Sequence, residues 1–554
     1  MARPVYIAGV GLTKVDLTGR VFASVFDLFA EAYEKALEDS RVRAFDAVQV
    51  GIMDSEEFEN RANIAAKAAD RLGLRGVPAV RSETASSTGA AAFHEAWYKV
   101  ASEQCDSVLV LAGERMKTVT TEAATAIMSK VVDPVERRFG CTMPGLIALV
   151  TGAWLRERGI GRGRAARIFA HLMHRAHALG AANPLAAFHG RPEPLEAYFD
   201  AEKNLPVATP LLRKDCSPIC DGAAAVILTA RPEAVRVAGL GSATDSSSIL
   251  DRRSLTRLDA TREAAAVAWW RAGVTEPREL EGLVVEAHDA FNSLLPMDLV
   301  DLGLVEPDEA VAALIREAEE GSAPPDPRTH PVTGVGGRIP TNLSGGLKAR
   351  GHPVGGTGLF QIAEGYLQLT ERFPNPAAQV RDARMALAHS IGGPGNNNYV
   401  TLLERADSRR TRRAGPEPRR RFRSEPGGRR RTPRPPPGSR AVVEAATTIH
   451  VTAGDVPGPV HVAIVRLDGG RMFARLEHEA GEEEPTEEVL AGRRVKLLVK
   501  DDGDHYFQLD RGRSGLGGLL ERVRSRIGIA PPAGEPAGGA EPDEEGEGEP
   551  STSG

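Results

Sequence analysis

Short runs of aliphatic and β-branched residues alternate with longer amphipathic stretches along the first 405 residues or so. Ser107–Gly113 and Ala224–Thr229 are apolar almost throughout, which is typical of buried strands. Phe22–Asp39 and Ala91–Ser102 carry apolar residues at three-to-four spacing instead, which predicts helices with one buried face. This alternation predicts an α/β protein built around a sheet.

A weak internal repeat divides this α/β region. Val5–Gly11 (VYIAGVG) is similar to Val235–Gly241 (VRVAGLG), and each segment opens a stretch of similar size. Chance similarity between two short glycine-containing strands is the alternative. If the repeat is real, residues 1–233 and 234–407 are two related halves, and a site is expected where they meet.

The pattern changes after residue 407. Thirteen arginines, two glutamates and many Pro and Gly residues occur between Arg409 and Arg440, so we expect residues 408–440 to be a disordered linker. A contact with nucleic acid is the alternative, but few aromatic residues are interleaved, so no nucleic-acid partner is predicted. Residues 529–554 are acidic and predict a disordered tail.

Residues 441–528 contain short alternating strands joined by Asp- and Gly-containing turns. The strand candidates are Val460–Leu467, Arg471–Leu476 and Arg494–Val499. They predict a small all-β barrel that follows the α/β region.

Composition favours a protein of the reducing cytoplasm. The chain has 554 residues, a formal charge of −6 and only four cysteines, which do not suggest a disulfide framework. No run of about 18 apolar residues is present, so no membrane span is predicted.

The most informative segment is Glu83–Gly89 (ETASSTG). A strand at Ala79–Val80 gives way there to a helix that begins near Gly89, so Ser86 is expected to face a helix N-terminus, where free N–H groups favour developing negative charge. Taken alone, the segment also fits an ordinary helix N-cap.

Two histidines stand in equally distinctive surroundings. His288 lies in Glu286–Asn292 (EAHDAFN), just after a predicted strand, where α/β sheets build sites. His352 lies in a glycine-rich loop, Gly351–Gly358 (GHPVGGTG), preceded by Asn342–Gly346 (NLSGG), and it is a candidate proton shuttle.

A fourth segment, His389–Gly395 (HSIGGPG), forms a glycine turn that follows an apolar run and contains Ser390. Three further histidines, His171, His174 and His177, have helical spacing and would suggest a metal. They lie on what reads as a surface helix without a nearby acidic ligand, so no metal site is predicted.

Together these segments resemble the thiolase superfamily, specifically its sterol-carrier-protein-type branch, over about residues 4–405. The resemblance implies two doubled βαβαβαββ halves in a five-layer α-β-α-β-α sandwich that usually dimerises. It implies an acyl-CoA thioester as substrate and no other cofactor. His177–Pro184 (HALGAANP) is similar to the loop segment that lies near CoA in that branch.

The resemblance also assigns roles. Ser86 stands where the family has its nucleophilic cysteine, and Ser390 stands where it has a second cysteine in a Cys-x-Gly turn. His352 matches the histidine that activates the nucleophile, and His288 matches the residue that helps form an oxyanion hole. The implied acyl-CoA-binding positions are Asn342, Gly345, Gly351 and Gly392.

The barrel region resembles the OB-fold module that accompanies thiolase-like subunits of this branch, without that module's zinc-ribbon cysteines. We therefore expect it to pack on the thiolase-like region.

Since a serine is far less ionised than a thiol near pH 7, three hypotheses remain. The chain is an acyltransferase-like enzyme that makes or breaks a C–C bond through Ser86, a retro-aldolase that needs no thiol, or a non-catalytic acyl-CoA-binding protein.

Overall fold

Helices and strands alternate up to Arg405, and only strands follow among the described elements. The computed structural model describes residues 3–315, 326–408, 435–452, 456–467, 470–476, 490–499 and 505–509. The strands are β1 Tyr6–Leu12, β2 Ala47–Gly51, β3 Ala79–Ser82, β4 Ser107–Arg115, β5 Pro206–Ala208, β6 Leu211–Leu212, β7 Asp221–Thr229, β8 Val235–Thr244, β9 Leu283–Glu286, β10 Met385–Gly392, β11 Asn397–Arg405, β12 Arg440–Ile449, β13 Val460–Leu467, β14 Gly470–Leu476, β15 Arg494–Val499 and β16 His505–Leu509.

The α-helices are α1 Val25–Asp39, α2 Ser55–Glu59, α3 Ile64–Arg71, α4 Thr88–Ala101, α5 Thr121–Met128, α6 Pro134–Arg138, α7 Met143–Glu157, α8 Arg162–Ala181, α9 Asp259–Ala272, α10 Leu294–Asp301, α11 Gly346–Ala349 and α12 Thr357–Leu369. Short 3₁₀ turns occur at Ser129–Val131, Leu195–Tyr198, Arg213–Asp215, Ile249–Asp251, Pro277–Glu279, Pro327–Thr329, Val354–Gly356 and Pro376–Ala378. The strands and helices predicted from hydrophobic spacing are confirmed, with ends that differ by a few residues.

The central sheet has nine strands in the order β3-β2-β4-β7-β1-β8-β11-β10-β9. From β1 outward, the pairings β1–β7 and β7–β4 are antiparallel and β4–β2 is parallel. From β8 outward, β8–β11 and β11–β10 are antiparallel and β10–β9 is parallel, so both halves follow the same pattern. The predicted internal repeat is therefore confirmed, because β1 and β8 carry its two copies. The predicted boundary at 233/234 falls between β7 and β8.

The repeated glycines explain why the two copies look alike. A Cβ built on Gly11 would lie 2.0 Å from the Ala32 carbonyl oxygen, and one on Gly241 would lie 1.9 Å from that of Ala264. These positions let α1 and α9 pack with their backbones directly on β1 and β8. The same glycine pattern therefore serves the same close helix–strand contact in each half.

Helices α4 and α12 form the middle layer between the two halves. All but one of the residues of α12 are buried, as expected of a helix that is covered on all sides. Their first turns touch, because a Cβ on Gly89 would lie 2.8 Å from the Leu359 amide nitrogen and one on Gly358 would lie 2.6 Å from that of Ala90. The loops that precede these helices, which carry Ser86 and His352, are brought together as a result.

The five strands β12 to β16 form a closed barrel, in the order β13-β14-β16-β15-β12 with β12 also paired to β13. Strand β12 extends the barrel sheet onto β5 of the α/β region through the pair Ile449–Ala208. The rings of Phe139 and Phe473 stack at 6.0 Å across the same contact. The predicted barrel and its packing on the α/β region are thus present.

Several sequence predictions lie outside the described residues. They concern most of the linker (409–434), the last part of the barrel region (510–528) and the acidic tail (529–554). The predicted domain boundaries, including the one at 233/234, stay predictions.

Candidate active site

Three of the four predicted catalytic residues line one cavity of about 840 Å³. Ser86 reaches it from the turn before α4, His288 from the loop after β9, and His352 from the loop before α12. The sheet thus places residues that are distant in sequence around a common space, at the junction of the two halves.

The Ser86 turn is held by its neighbours. Ala85 has φ 54°, Ser87 donates its hydroxyl to the Thr84 carbonyl at 2.8 Å, and the Thr84 N–H donates to the Thr88 hydroxyl at 2.8 Å. Ser86 itself is buried, and its hydroxyl has no hydrogen-bond partner within the described part of the chain. Ser86 therefore does not act as a helix cap, which leaves its hydroxyl available to the cavity.

A glycine of the other half supports this turn. A Cβ on Gly392 of β10 would lie 2.2 Å from the Thr84 carbonyl oxygen and 2.5 Å from the Ser87 hydroxyl oxygen. Gly392 therefore permits the close approach that fixes Ser86 at the junction.

A threonine fixes the orientation and the tautomer of His352. The Thr357 hydroxyl donates to the Pro353 carbonyl at 3.1 Å and lies 2.7 Å from His352 Nδ1. With its hydrogen directed to Pro353, Thr357 accepts from His352 Nδ1–H, and in that tautomer Nε2 keeps a free lone pair. Burial, and then the charge of Arg350, lowers the pKa of His352 to about 3, so the ring is neutral at pH 7.

His288 faces His352 edge-on. The ring centroids are 5.3 Å apart and the ring planes cross at 88°. Burial, and then the proximity of a second imidazole, His352, lowers the pKa of His288 well below its usual value. Its Nδ1 has no hydrogen-bond partner among the described residues. The cavity therefore presents two neutral imidazoles, each able to donate or accept a proton.

Asn342 positions the His288 loop rather than lining the cavity. Its side-chain oxygen accepts the Ala287 N–H at 2.7 Å, and its amide donates to the Ala287 carbonyl at 3.2 Å. Both bonds fix the residue immediately before His288.

The other predicted acyl-CoA-binding glycines also lie behind the cavity wall. A Cβ on Gly345 would lie 2.6 Å from the Gly180 Cα, and one on Gly351 would lie 2.6 Å from the Val15 side chain. They allow loops to pack closely, and their contact with CoA stays a prediction.

Ser390 is buried against the first turn of α12, with its hydroxyl 2.9 Å from the Cβ position of Gly358, and is not among the lining residues. Its catalytic role stays a prediction too.

A buried ion pair anchors the part of the loop that immediately precedes His352 in the sequence. Arg350 is fully buried, pairs with Glu364 at 3.0 Å and stacks on the Phe360 ring at 4.8 Å. Its guanidinium also donates to the Gly351 carbonyl at 2.9 Å. This contact fixes the residue next to His352.

Two lining residues did not emerge from the sequence as site residues. Lys348 is buried and donates to the Cys216 carbonyl at 2.7 Å, and burial lowers its pKa to about 8. Burial, and then the nearby Asp215 carboxylate, raises the pKa of Cys216 to about 12, so this thiol is not a thiolate at pH 7. Cys216 lies in the cavity wall, but it is not set up as a substitute nucleophile.

The expectation of a surface helix for the histidine triplet is wrong. His171 and His177 of α8 are buried, and His177 lies in the cavity wall against Phe188, with ring centroids 4.6 Å apart. Helix α8 is covered because α11 packs on it: a Cβ on Gly180 would lie 2.6 Å from the Ala349 Cβ. Within the described ranges, no group of three or more His, Cys, Asp or Glu residues is arranged to hold a metal ion.

Comparison with known proteins settles the family. Residues 5–170 match the family described as thiolase, N-terminal domain, and residues 241–405 match the one described as thiolase C-terminal domain-like. An acetyl-CoA acetyltransferase of Methanothermobacter thermautotrophicus is 35% identical over 416 residues, which cover 73% of this chain and 100% of the relative. The chain belongs to the thiolase superfamily. A human sterol carrier protein 2 is 28% identical over 421 residues, covering 73% of this chain and 72% of that protein.

Solved structures share the thiolase fold. A monomeric SCP2-thiolase like protein type 1 from Mycobacterium smegmatis has a TM-score of 0.65 at 18% identity. The match covers 91% of this chain and 98% of that protein's chain. An Ltp2-ChsH2(DUF35) aldolase has a TM-score of 0.58 at 19% identity, and the match covers 74% of this chain and 99% of that protein's chain. The five-layer thiolase architecture is thereby confirmed. Among the described helices, none is long and apolar enough to cross a membrane.

The neutral state of His352 in this thiolase-like cavity predicts a pH-dependent stability. Its pKa falls from 6.5 in the unfolded chain to about 3 in the folded one. Below pH 6.5 the unfolded chain binds more protons, so stability falls as pH falls. Relative to His352→Gln, we expect the wild type to lose about 2 kcal/mol of unfolding free energy between about pH 6.5 and pH 5.

Urea unfolding at each pH measures this difference. His94→Gln is a second variant remote from the cavity, since burial also lowers the pKa of His94 to about 3, and it is expected to behave in the same way. A wild-type advantage that stays constant with pH would contradict a neutral, buried His352.

Proposed function

We propose that the protein binds an acyl-CoA thioester in this cavity and makes or breaks a C–C bond next to the thioester carbonyl. The observation that carries the proposal is the pair of neutral imidazoles, His288 and His352, whose rings meet at 5.3 Å in the cavity that Ser86 lines. Positioned groups that interact with developing charge usually give the largest catalytic contribution. The thiolase-superfamily relatives support acyl-CoA as the substrate class, since the archaeal relative is named an acetyl-CoA acetyltransferase.

The geometry favours a retro-aldol reaction on a β-hydroxyacyl-CoA. The free Nε2 of His352 would take the proton of the β-hydroxyl, and the Cα–Cβ bond would break to give a carbonyl product and the enolate of the shortened thioester. An N–H of His288 would donate to the enolate oxygen, and return of the proton from His352 to Cα would complete the reaction and restore the neutral imidazole. This sequence requires no covalent intermediate, which agrees with the absence of a thiolate among the described lining residues.

Acyl transfer through Ser86 is the second candidate. The position of Ser86 before α4 and the names of the archaeal relatives favour it. A serine nucleophile needs a base in hydrogen-bond contact, however, and the Ser86 hydroxyl has no such acceptor in the described part of the chain. Acyl transfer therefore ranks below the non-covalent reaction.

Replacing Ser86 separates these candidates. We expect the wild type and Ser86→Ala to cleave β-hydroxyacyl-CoAs at rates within about tenfold of each other, without an acyl adduct. We expect Ser86→Cys to gain an acetyl adduct from acetyl-CoA, because a thiol before a helix N-terminus is readily ionised. Intact-mass spectrometry and chromatography of the products measure both effects.

The alternative outcomes are equally distinct. An adduct present in the wild type and lost in Ser86→Ala would replace the lyase with the transferase. Acyl-CoA binding without product or adduct in any variant would identify a non-catalytic acyl-CoA-binding protein.

We further propose that the barrel is an OB-fold module. Its five strands close on one another and β14 runs parallel to β16, and the structurally similar aldolase bears a DUF35 component in its name. A homodimer through the thiolase-like region and a cytoplasmic location are likewise proposed from the family resemblance.

A further inference from the structure

We infer that the barrel supplies part of the wall of the acyl-group site and that Val451 limits the size of the apolar acyl group bound there. This inference rests on the proposed binding of acyl-CoA and adds a substrate class to it. Val451, just past the end of β12, borders the cavity that also contains Ser86, His288 and His352.

Backbone contacts fix the position of Val451. Its N–H donates to the Val207 carbonyl at 3.3 Å, and its carbonyl accepts the Thr142 hydroxyl at 3.2 Å. Val207 and Thr142 line the cavity as well, one from β5 and the other from the start of α7. The end of β12 therefore lies between two parts of the cavity wall and holds both.

The residues just before Val451 extend this attachment. The Thr209 N–H donates to the Thr448 carbonyl at 3.0 Å, and the Thr447 hydroxyl donates to the Thr209 carbonyl at 2.8 Å. A Cβ on Gly145 would lie 2.8 Å from the Ile449 side chain, so β12 and α7 are in close contact. The barrel is thus part of the wall and cannot move away without opening the cavity.

The chemistry of this part of the wall is apolar. Leu205 and Val451 keep 52% and 40% of their surface exposed, and both border the cavity. Exposed aliphatic side chains inside a cavity are stabilised when an apolar group covers them. Met143 and Ile147 line the same space.

Cationic residues line the cavity as well. Lys203, Arg213 and Lys214 border it, and the Lys214 ammonium pairs with Glu193 at 2.7 Å. Phosphate groups of CoA match these cations, while the apolar residues match an acyl chain. The substrate class indicated is an acyl-CoA with a medium-length or branched apolar acyl group.

The test is calorimetric titration of the full-length protein with acetyl-CoA and with decanoyl-CoA. We expect Val451→Phe to weaken decanoyl-CoA binding at least about tenfold and to change acetyl-CoA binding less than about twofold, because a larger side chain excludes part of the chain. Val442→Phe is the matched control, since Val442 lies on β12, is exposed and does not border the cavity. It is expected to change neither affinity.

Val451→Ala keeps the test decisive if the phenylalanine variant does not fold. It enlarges the site without a clash, so it should change the affinity for decanoyl-CoA by at least about threefold while that for acetyl-CoA stays within about twofold. If the wild type binds both ligands and neither Val451 variant discriminates between them, the inference about the barrel is overturned and the proposed function stands. If the wild type binds neither ligand, the proposed function itself fails.

Discussion

Changing His352 to glutamine is expected to lower the rate of β-hydroxyacyl-CoA cleavage by about 10²- to 10⁴-fold, the usual contribution of a positioned general acid or base. Glutamine is close in size, but its amide cannot accept a proton as the free Nε2 of a neutral imidazole does. Binding of acyl-CoA should change less than about threefold, because the acyl group still finds the same apolar wall.

Steady-state kinetics and calorimetric titration together check this result. Thr357→Val is the companion variant, since it keeps His352 but removes the hydroxyl 2.7 Å from Nδ1 that sets the tautomer. We expect it to lower kcat about tenfold with little change in affinity, whereas Thr357→Ser should retain most activity. Full turnover in His352→Gln would refute His352 as the base.

The second large effect is expected on stability. Gly241→Ala should lower the unfolding free energy by about 3 kcal/mol or more, because the new methyl group would overlap backbone. Its Cβ would lie 1.9 Å from the Ala264 carbonyl oxygen and 2.8 Å from the Ala268 amide nitrogen, and backbone in a packed helix cannot yield as a flexible side chain can. Helix α9 would have to separate from β8.

Gly152→Ala is the matched control. Gly152 lies inside α7, and beyond the helix's own nearby backbone no heavy atom lies within 4 Å of the Cβ that alanine would add. We expect this variant to be more stable than the wild type by about 0.5–1 kcal/mol, the ordinary advantage of Ala over Gly in a helix. Urea unfolding measures both changes. Similar effects of the two substitutions would contradict the close packing of α9 on β8.

Much of the fold could be predicted from the local spacing of apolar residues. Alternation of apolar runs predicted β4 and β7, and three-to-four spacing predicted α1, because these signals depend only on neighbouring residues. The repeat was visible because Gly11 and Gly241 meet the same steric demand twice. Burial of the α8 histidines was not predictable in this way, since it depends on α11, a helix far along the chain.

The candidate site was predictable only in part. Ser86, His288 and His352 each sit in a distinctive local segment, so the sequence could nominate them separately and the family resemblance could group them. Lys348 and Val451 have no such local signature, because what brings them to the cavity is tertiary packing and pairing between distant strands. Whether a base lies close enough to activate Ser86 also depends on distances in the folded protein, which the spacing of residues along the sequence does not determine.

The pairing of β12 with β5 has a consequence for how the protein behaves on dilution. Because the barrel and the thiolase-like region belong to one chain, their association is intramolecular and has an effective concentration that does not depend on how much protein is present. A wall formed by a separate subunit would be lost at low concentration, and the cavity with it. Here the stoichiometry is fixed at one barrel per cavity by covalent connection.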